Sequence, residues 1–412
     1  MNDFLRRIAG AAALLLALVT GPAVAQAVKP APLTILISID GFRADYLQRG
    51  VTPSIAALAA EGVRATAMHP SYPSLTFPNH YTLVTGLRPD RSGIVDNNME
   101  DPRKPGVAFS MGKVDISHDP FWWDEAEPLW VTAEKAGVRT ATMFWPGSDL
   151  PIHGVQPHDW KMYDKKFLAD QRVDLVLAWL DRPPAERPRF VTLYFDEVDS
   201  AGHAAGPDSQ EVNAALARTD AAVGRLVAGL KAKGLFAEAD LVIVADHGMA
   251  ATAPERVTYL DDLLPADGWH AVSMGSEATI RPMPGHEEEV AEALLAPHPH
   301  MTCWRKADVP VRFHYGKNPR VPPFVCLGQT GWLIESHASV IGHPVGRGAH
   351  GFDPYDPLMD ALFVAHGPAF KTGAVQPAFD NVDIYPLLAA LIGVADRPND
   401  GRLADLTSSL AQ

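Results

Sequence analysis

Four short runs hold the side chains best equipped for chemistry: Ile37-Ser38-Ile39-Asp40-Gly41, Phe195-Asp196-Glu197-Val198-Asp199-Ser200-Ala201-Gly202-His203, Val244-Ala245-Asp246-His247-Gly248 and Gly348-Ala349-His350-Gly351. In the first three a carboxylate follows an apolar stretch, and two of these also bring a histidine. Singly, such an Asp serves as a helix cap or turn former. Three carboxylates and three imidazoles converging at one sheet edge repel or go unsolvated unless a cation sits among them. Mixed His and Asp ligation suits zinc. One catalytic zinc takes about three protein ligands, so six such residues imply two ions.

A second candidate is the run Ser71-Tyr72-Pro73-Ser74-Leu75-Thr76-Phe77-Pro78-Asn79-His80-Tyr81, followed by Val84-Thr85-Gly86. Its prolines and hydroxyls lead into an apolar stretch and predict a helix start, with Thr76 just before the helix and Pro78 in its first turn. Backbone N–H groups and the positive end of the helix dipole then face any anion bound there. Thr76 has two readings at this point, a helix cap or a hydroxyl poised for reaction.

These residues need a frame to hold them. Leu33 to Ile39, Phe190 to Phe195, Leu241 to Ala245 and Ala361 to Ala365 read as buried parallel strands. The clearest helix runs from Ser209 to Lys233, with Asp208 as its cap, Glu211 completing a capping box and Gly234 ending it. Strands alternating with helices predict an α/β fold with a doubly wound, mostly parallel sheet, which binds ligands beyond the carboxyl ends of its strands. From about residue 258 to 340 the texture changes to short alternating stretches, many prolines and one helix near His286 to Leu295. This predicts a smaller inserted α+β lobe, leaving 28–257 and 341–412 as the main domain. Trp122, Trp123 and Trp130 read as structural.

The chain has 412 residues, 47% apolar and 20% charged, which predicts a globular protein with a large core. Its net charge of −14 excludes a broad basic surface for duplex nucleic acid. Arg6 and Arg7, the apolar run Ile8 to Val19 and Ala23-Val24-Ala25 form an export signal over residues 1–25, cleaved after Ala25 or Ala27. The apolar run is too short for a membrane anchor, which needs about 20 residues. A periplasmic or secreted protein is therefore expected, and in that compartment Cys303 and Cys326 form either a disulfide or two buried thiols.

Taken in order, Asp40-Gly41-Phe42-Arg43, Thr76-Phe77-Pro78-Asn79-His80, Gly93-Ile94-Val95-Asp96-Asn97-Asn98-Met99, Trp145-Pro146-Gly147-Ser148-Asp149, Asp199 with His203, Asp246-His247-Gly248 and His350-Gly351 resemble the nucleotide pyrophosphatase/phosphodiesterase family of the alkaline phosphatase superfamily. The resemblance spans about residues 33 to 390. It implies a central sheet like that of alkaline phosphatase and two zinc ions, one held by Asp199, His203 and His350 and the other by Asp40, Asp246 and His247. It further implies Thr76 as nucleophile and a zinc contact, Asn97 as donor to a phosphate oxygen, Phe77 and Tyr163 as stacking partners of a nucleobase, and Trp145 and Asp149 as pocket lining. The family often carries a lysine just before the threonine; this chain has Leu75.

The expected reaction is hydrolysis of nucleotide phosphodiester and pyrophosphate bonds to nucleoside 5'-monophosphates through a phosphothreonine. A phosphomonoesterase, a phosphodiesterase for choline-type head groups, and a zinc-stabilised binding protein are the competing readings. Residue composition assigns neither the oligomeric state nor the base preference.

Overall fold

Apolar runs that can be buried on both faces set the centre of the molecule. The computed structural model describes residues 32–411, so the export signal lies outside the described residues. In chain order the strands that matter here are β1 (Leu33–Ile39), β2 (Val63–Ala65), β3 (Thr140–Met143), β4 (Asp159–Lys161), β5 (Phe190–Phe195), β6 (Ala239–Val244), β7 (Trp269–Ser273), β8 (Glu277–Pro282), β9 (Met301–Arg305), β10 (Phe324–Gly328), β11 (Phe363–His366) and β12 (Ala374–Gln376). The helices are α1 (Thr76–Thr85), α2 (Ala169–Leu180), α3 (Glu197–Ala205), α4 (Gln210–Ala232), α5 (Glu287–Leu295) and α6 (Ile384–Ile392).

The large sheet has the order β12-β2-β11-β6-β1-β5-β3-β4. Strand β1 lies at its heart, parallel to both β5 and β6. All residues of β1 and β6 are buried, as expected where helices cover both faces. Because β6, β1 and β5 are adjacent and parallel, Asp246, Asp40 and Asp196-Glu197 emerge together at one edge.

Two expectations need correction. Strand β11 is antiparallel to β6, because the chain reaches it from Gly348–Gly351 at the carboxyl edge without crossing back first. Helix α4 is capped by Ser209, whose Oγ accepts from Val212 N at 3.2 Å. Asp208 is occupied elsewhere, accepting from Arg49 Nη2 at 2.8 Å. Strand β3 escaped the sequence reading because Thr140-Ala141-Thr142-Met143 carries a weak apolar signal, yet all four residues are buried. Trp122, Trp123 and Trp130 are buried in the main core.

A second, antiparallel sheet has the order β7-β8-β10-β9. With α5 it encloses a separate apolar cluster that includes Leu260, Ile280, Val290, Leu294 and Ile334. Cys303 and Cys326 stand opposite each other on β9 and β10 and are joined as a disulfide. The sheet is tied to the main body: Phe313 stacks on Tyr72 with ring centroids 4.5 Å apart, and Tyr315 meets Tyr72 edge-on at 5.1 Å. No helix among the described residues is long and apolar enough to cross a membrane.

Candidate active site

The carboxyl ends of β1, β5 and β6 deliver the acidic groups, and the loops beyond them supply the histidines. On α3, Asp199 and His203 are one turn apart and face the same way, with Oδ1 and Nε2 at 3.3 Å. His350 Nε2 lies 3.6 Å from the same Asp199 oxygen. His247 Nε2 lies 3.0 Å from Asp246 Oδ2 and 3.4 Å from Asp40 Oδ1.

The second nitrogen of each ring explains this aim. His203 Nδ1 donates to Gly348 O at 2.8 Å, His350 Nδ1 to Ser74 O at 2.9 Å and His247 Nδ1 to Gly248 O at 2.9 Å. A carbonyl can only accept, so each Nδ1 carries the proton and each Nε2 presents its lone pair inward. Asp40 Oδ1, Asp199 Oδ1 and Asp246 Oδ2 are buried without a hydrogen-bond partner. Buried acceptors facing lone pairs are costly alone and fit a cation.

The groupings support two ions. The ligand atoms of Asp199, His203 and His350 lie within 4.8 Å of one another, as do those of Asp40, Asp199 and His247, and those of Asp40, His80 and Asp246. His80 has no nitrogen to spare: Nδ1 donates to Thr76 O at 2.9 Å and Nε2 faces the Ser38 hydroxyl at 2.9 Å. Tyr194 donates to Asp40 Oδ2 at 2.6 Å, leaving Oδ1 for the site. Burial raises the Asp40 carboxyl well above its usual range, with Asp246 and Asp199 adding to it. Burial would raise Asp199 too, but His203, His350 and His247 outweigh it and hold it at about 2. Burial, with His247 beside it, takes His350 down to about 3.

Thr76 stands next to this cluster, its hydroxyl 3.3 Å from His247 Nε2. It is the first residue of α1; Leu75 holds the cap position in an extended conformation, without a side-chain cap. Thr76 is therefore no capping residue. Asn79 fixes the approach, accepting from Ser71 N at 2.7 Å and donating to Pro73 O at 2.9 Å. Asn97 Oδ1 accepts from Phe77 N at 2.9 Å, which turns its Nδ2 donor outward. The Thr76 N–H has no acceptor among the described residues. Thr76 and Asn97 both line a cavity of about 740 Å³, with Asp40, Asp199, His203 and His350.

A second pocket, about 170 Å³, shares Thr76, Tyr163 and Tyr194 with the first and is lined also by Phe77, Trp145 and Asp149. Phe77 rests on Trp123, centroids 6.0 Å apart. Tyr163 stands half exposed, its hydroxyl donating to Asp196 Oδ2 at 3.1 Å. Trp145 Nε1 donates to His80 O at 3.0 Å, and Asp149 lies 3.0 Å from His118 Nε2. Arg43 turns away from the cavity, bonding Met249 O at 2.9 Å and Asp45.

Sequence reasoning passed over Tyr194, His80 and Ser38. His80 sat in a run already singled out, at i+4 from Thr76, a spacing that points it back at the Thr76 carbonyl. Tyr194 lay inside an apolar strand, and only its hydroxyl marked it.

Residues 34–353 match the family described as type I phosphodiesterase/nucleotide pyrophosphatase. An uncharacterized pyrophosphatase/phosphodiesterase of Schizosaccharomyces pombe is 37% identical over 386 residues, 89% of this chain and 78% of that protein. Mouse ectonucleotide pyrophosphatase/phosphodiesterase family member 1 is 39% identical over 390 residues, 92% of this chain; the chain spans only 43% of its length. A Xenopus laevis bis(5'-adenosyl)-triphosphatase is 36% identical over 381 residues, 92% of this chain and 82% of that protein. Murine ectonucleotide pyrophosphatase/phosphodiesterase 5 superposes with a TM-score of 0.88 at 33% identity, covering 92% of this chain and 100% of that one. An inactive variant of that murine protein has been solved in complex with AMP. With this sheet, this Asp and His cluster and these matches, the chain is a hydrolase of the type I phosphodiesterase/nucleotide pyrophosphatase family, within the alkaline phosphatase superfamily.

Proposed function

We propose that the protein is an exported two-zinc enzyme that cleaves nucleotide phosphodiester and pyrophosphate bonds, releasing nucleoside 5'-monophosphates through a phosphothreonine on Thr76. One observation carries the reading: three Nε2 lone pairs and three unpartnered buried carboxylate oxygens surround the hydroxyl at the open N-terminus of α1. Asp199, His203 and His350 would hold one zinc and Asp40, Asp246 and His247 the other, with the Thr76 hydroxyl adjacent. When bound, such ions supply Lewis acidity that lowers the pKa of the threonine hydroxyl and draws charge from phosphate oxygens. The chain's own part is positional. Thr76 Oγ1 forms a bond to phosphorus as the bond to the leaving oxygen breaks, and the Thr76 N–H and Asn97 Nδ2 donate to a nonbridging oxygen. Water then cleaves the phosphothreonyl ester, so two in-line displacements retain configuration at phosphorus.

Phe77 and Tyr163 stack the base, and Trp145 and Asp149 close its pocket, a role supported by AMP in the murine relative's complex. A monoester dianion needs an extra cation, and the averted Arg43 does not supply one, which favours diesters. The ectonucleotidase relatives and the disulfide support a periplasmic or secreted location. The same reading assigns residues 258–340 to a lobe inserted between the two parts of the catalytic domain.

Thr76→Ala is expected to abolish turnover of bis-(p-nitrophenyl) phosphate while zinc content and melting temperature stay unchanged. Full activity of that variant refutes the covalent route. A higher kcat/KM on mono-(p-nitrophenyl) phosphate than on the diester refutes the substrate class.

A further inference from the structure

The part of the large cavity that the aromatic pocket does not share is walled by the turn between β7 and β8, including Ser273, Ser276 and Glu277. This turn is fastened to the metal-binding cluster, since Ser276 Oγ donates to His350 O. Beside it the Asp96 and Glu277 carboxyls lie in contact, 2% and 4% exposed. Glu277 Oε1 accepts from Ser273 Oγ at 2.9 Å, and Asp96 Oδ1 accepts from Asn98 N at 2.9 Å. Burial and the facing Asp96 raise the Glu277 carboxyl well above its usual range, so the pair shares a proton and holds one negative charge. Lys165 is the one Lys or Arg among the residues lining the cavity, and the position before Thr76 is the apolar Leu75.

We propose that this wall is the leaving-group subsite and that it selects a hydroxyl-bearing, nucleoside- or sugar-like leaving group over bare pyrophosphate. The proposal rests on the reading of the site as a nucleotide hydrolase. Ribose hydroxyls donate to the carboxylate and to the serine oxygens. Pyrophosphate brings several negative charges to a wall that already carries one and offers it little compensation, so repulsion in a poorly solvated cleft raises its barrier.

The test compares kcat/KM for ATP and for a dinucleoside diphosphate, AppA, both cleaved at a phosphoanhydride to release AMP. It uses the zinc-loaded wild type, the isosteric double variant Asp96→Asn/Glu277→Gln, and Leu75→Lys. Wild type is expected to prefer AppA. Removing the carboxylate charge, or adding a cation at 75, is expected to shift the ratio toward ATP by about tenfold, the size of one partly screened charge interaction. The double substitution is needed because removing either carboxyl alone leaves the other ionised. Should the double variant fail to fold, Leu75→Lys asks the same question from the other side. A wild type that prefers ATP, or a ratio unmoved in folded variants, overturns the leaving-group assignment while leaving the enzyme reading intact. Wild type that turns over neither nucleotide overturns that reading, and this one with it.

Discussion

Each imidazole at the sheet edge gives its Nδ1 proton to a backbone carbonyl and thereby commits its Nε2 to the cluster. The Tyr194 hydroxyl does the same for Asp40, engaging one oxygen and freeing the other. Outer partners of this kind tune affinity more than fold. Tyr194→Phe is expected to weaken zinc binding by about tenfold or more, read by competition with a chromophoric chelator, with little change in melting temperature of the zinc-free protein. Unchanged zinc affinity would show that the hydroxyl does not orient Asp40. The six candidate ligands were legible because Asp and His at strand ends stand out against apolar runs. Tyr194 and His80 were not, since their roles depend on which strand lies next to β1 and on how α1 packs over it.

Helix α1 begins at Thr76 because the loop before it is tied down by Asn79, not because a side chain caps it. Sequence placed the helix within a residue but gave Thr76 a position just outside it, since an extended Leu75 in the cap position leaves no compositional mark. Strand existence was similarly legible, whereas the direction of β11 was not: an apolar run reads the same both ways, and only the route of the chain around the site decides. Close approach of elements offers a sharper test. Gly351 has φ +99°, and a Cβ there would stand 2.2 Å from Ser276 Oγ and 2.8 Å from Leu75 Cδ2. Gly351→Ala is expected to spread the β7–β8 turn from Leu75, shift His350 and lower kcat by about tenfold or more. Wild-type kcat with wild-type zinc content would refute the tight contact. By contrast Ser209→Ala, at the cap of α4, is expected to cost about 1 kcal/mol in urea unfolding and leave kcat/KM alone.

For the molecule as a whole, burial of charge sets part of the pH response. Asp240, at the start of β6, is buried and its carboxyl is raised to about 6, with only Ala369 N–H donating to it. The folded state holds a proton that the unfolded chain releases, so this group's contribution to stability falls as pH rises from about 4 to about 6 and is level above that. Asp240→Asn is expected to flatten the dependence of the urea midpoint over that window; an unchanged slope refutes the assignment. Composition gave the acidity and the core, and the change of texture near residue 258 gave the smaller sheet. Pairing of the two cysteines was open in the sequence because it hangs on the register of β9 against β10, which no local pattern specifies.

The metal-binding side chains are drawn from stretches as far apart as Asp40 and His350, and most are held in place by carbonyls and hydroxyls of the chain itself. Cations captured there join the two ends of the polypeptide at a point where like charges would otherwise push it open. Their binding energy becomes folding energy by mass action, about 4 kcal/mol at a free concentration a thousandfold above Kd. Chelation should thus lower the melting temperature as well as stop the reaction, and the protein's endurance outside the cell becomes a function of the zinc available around it.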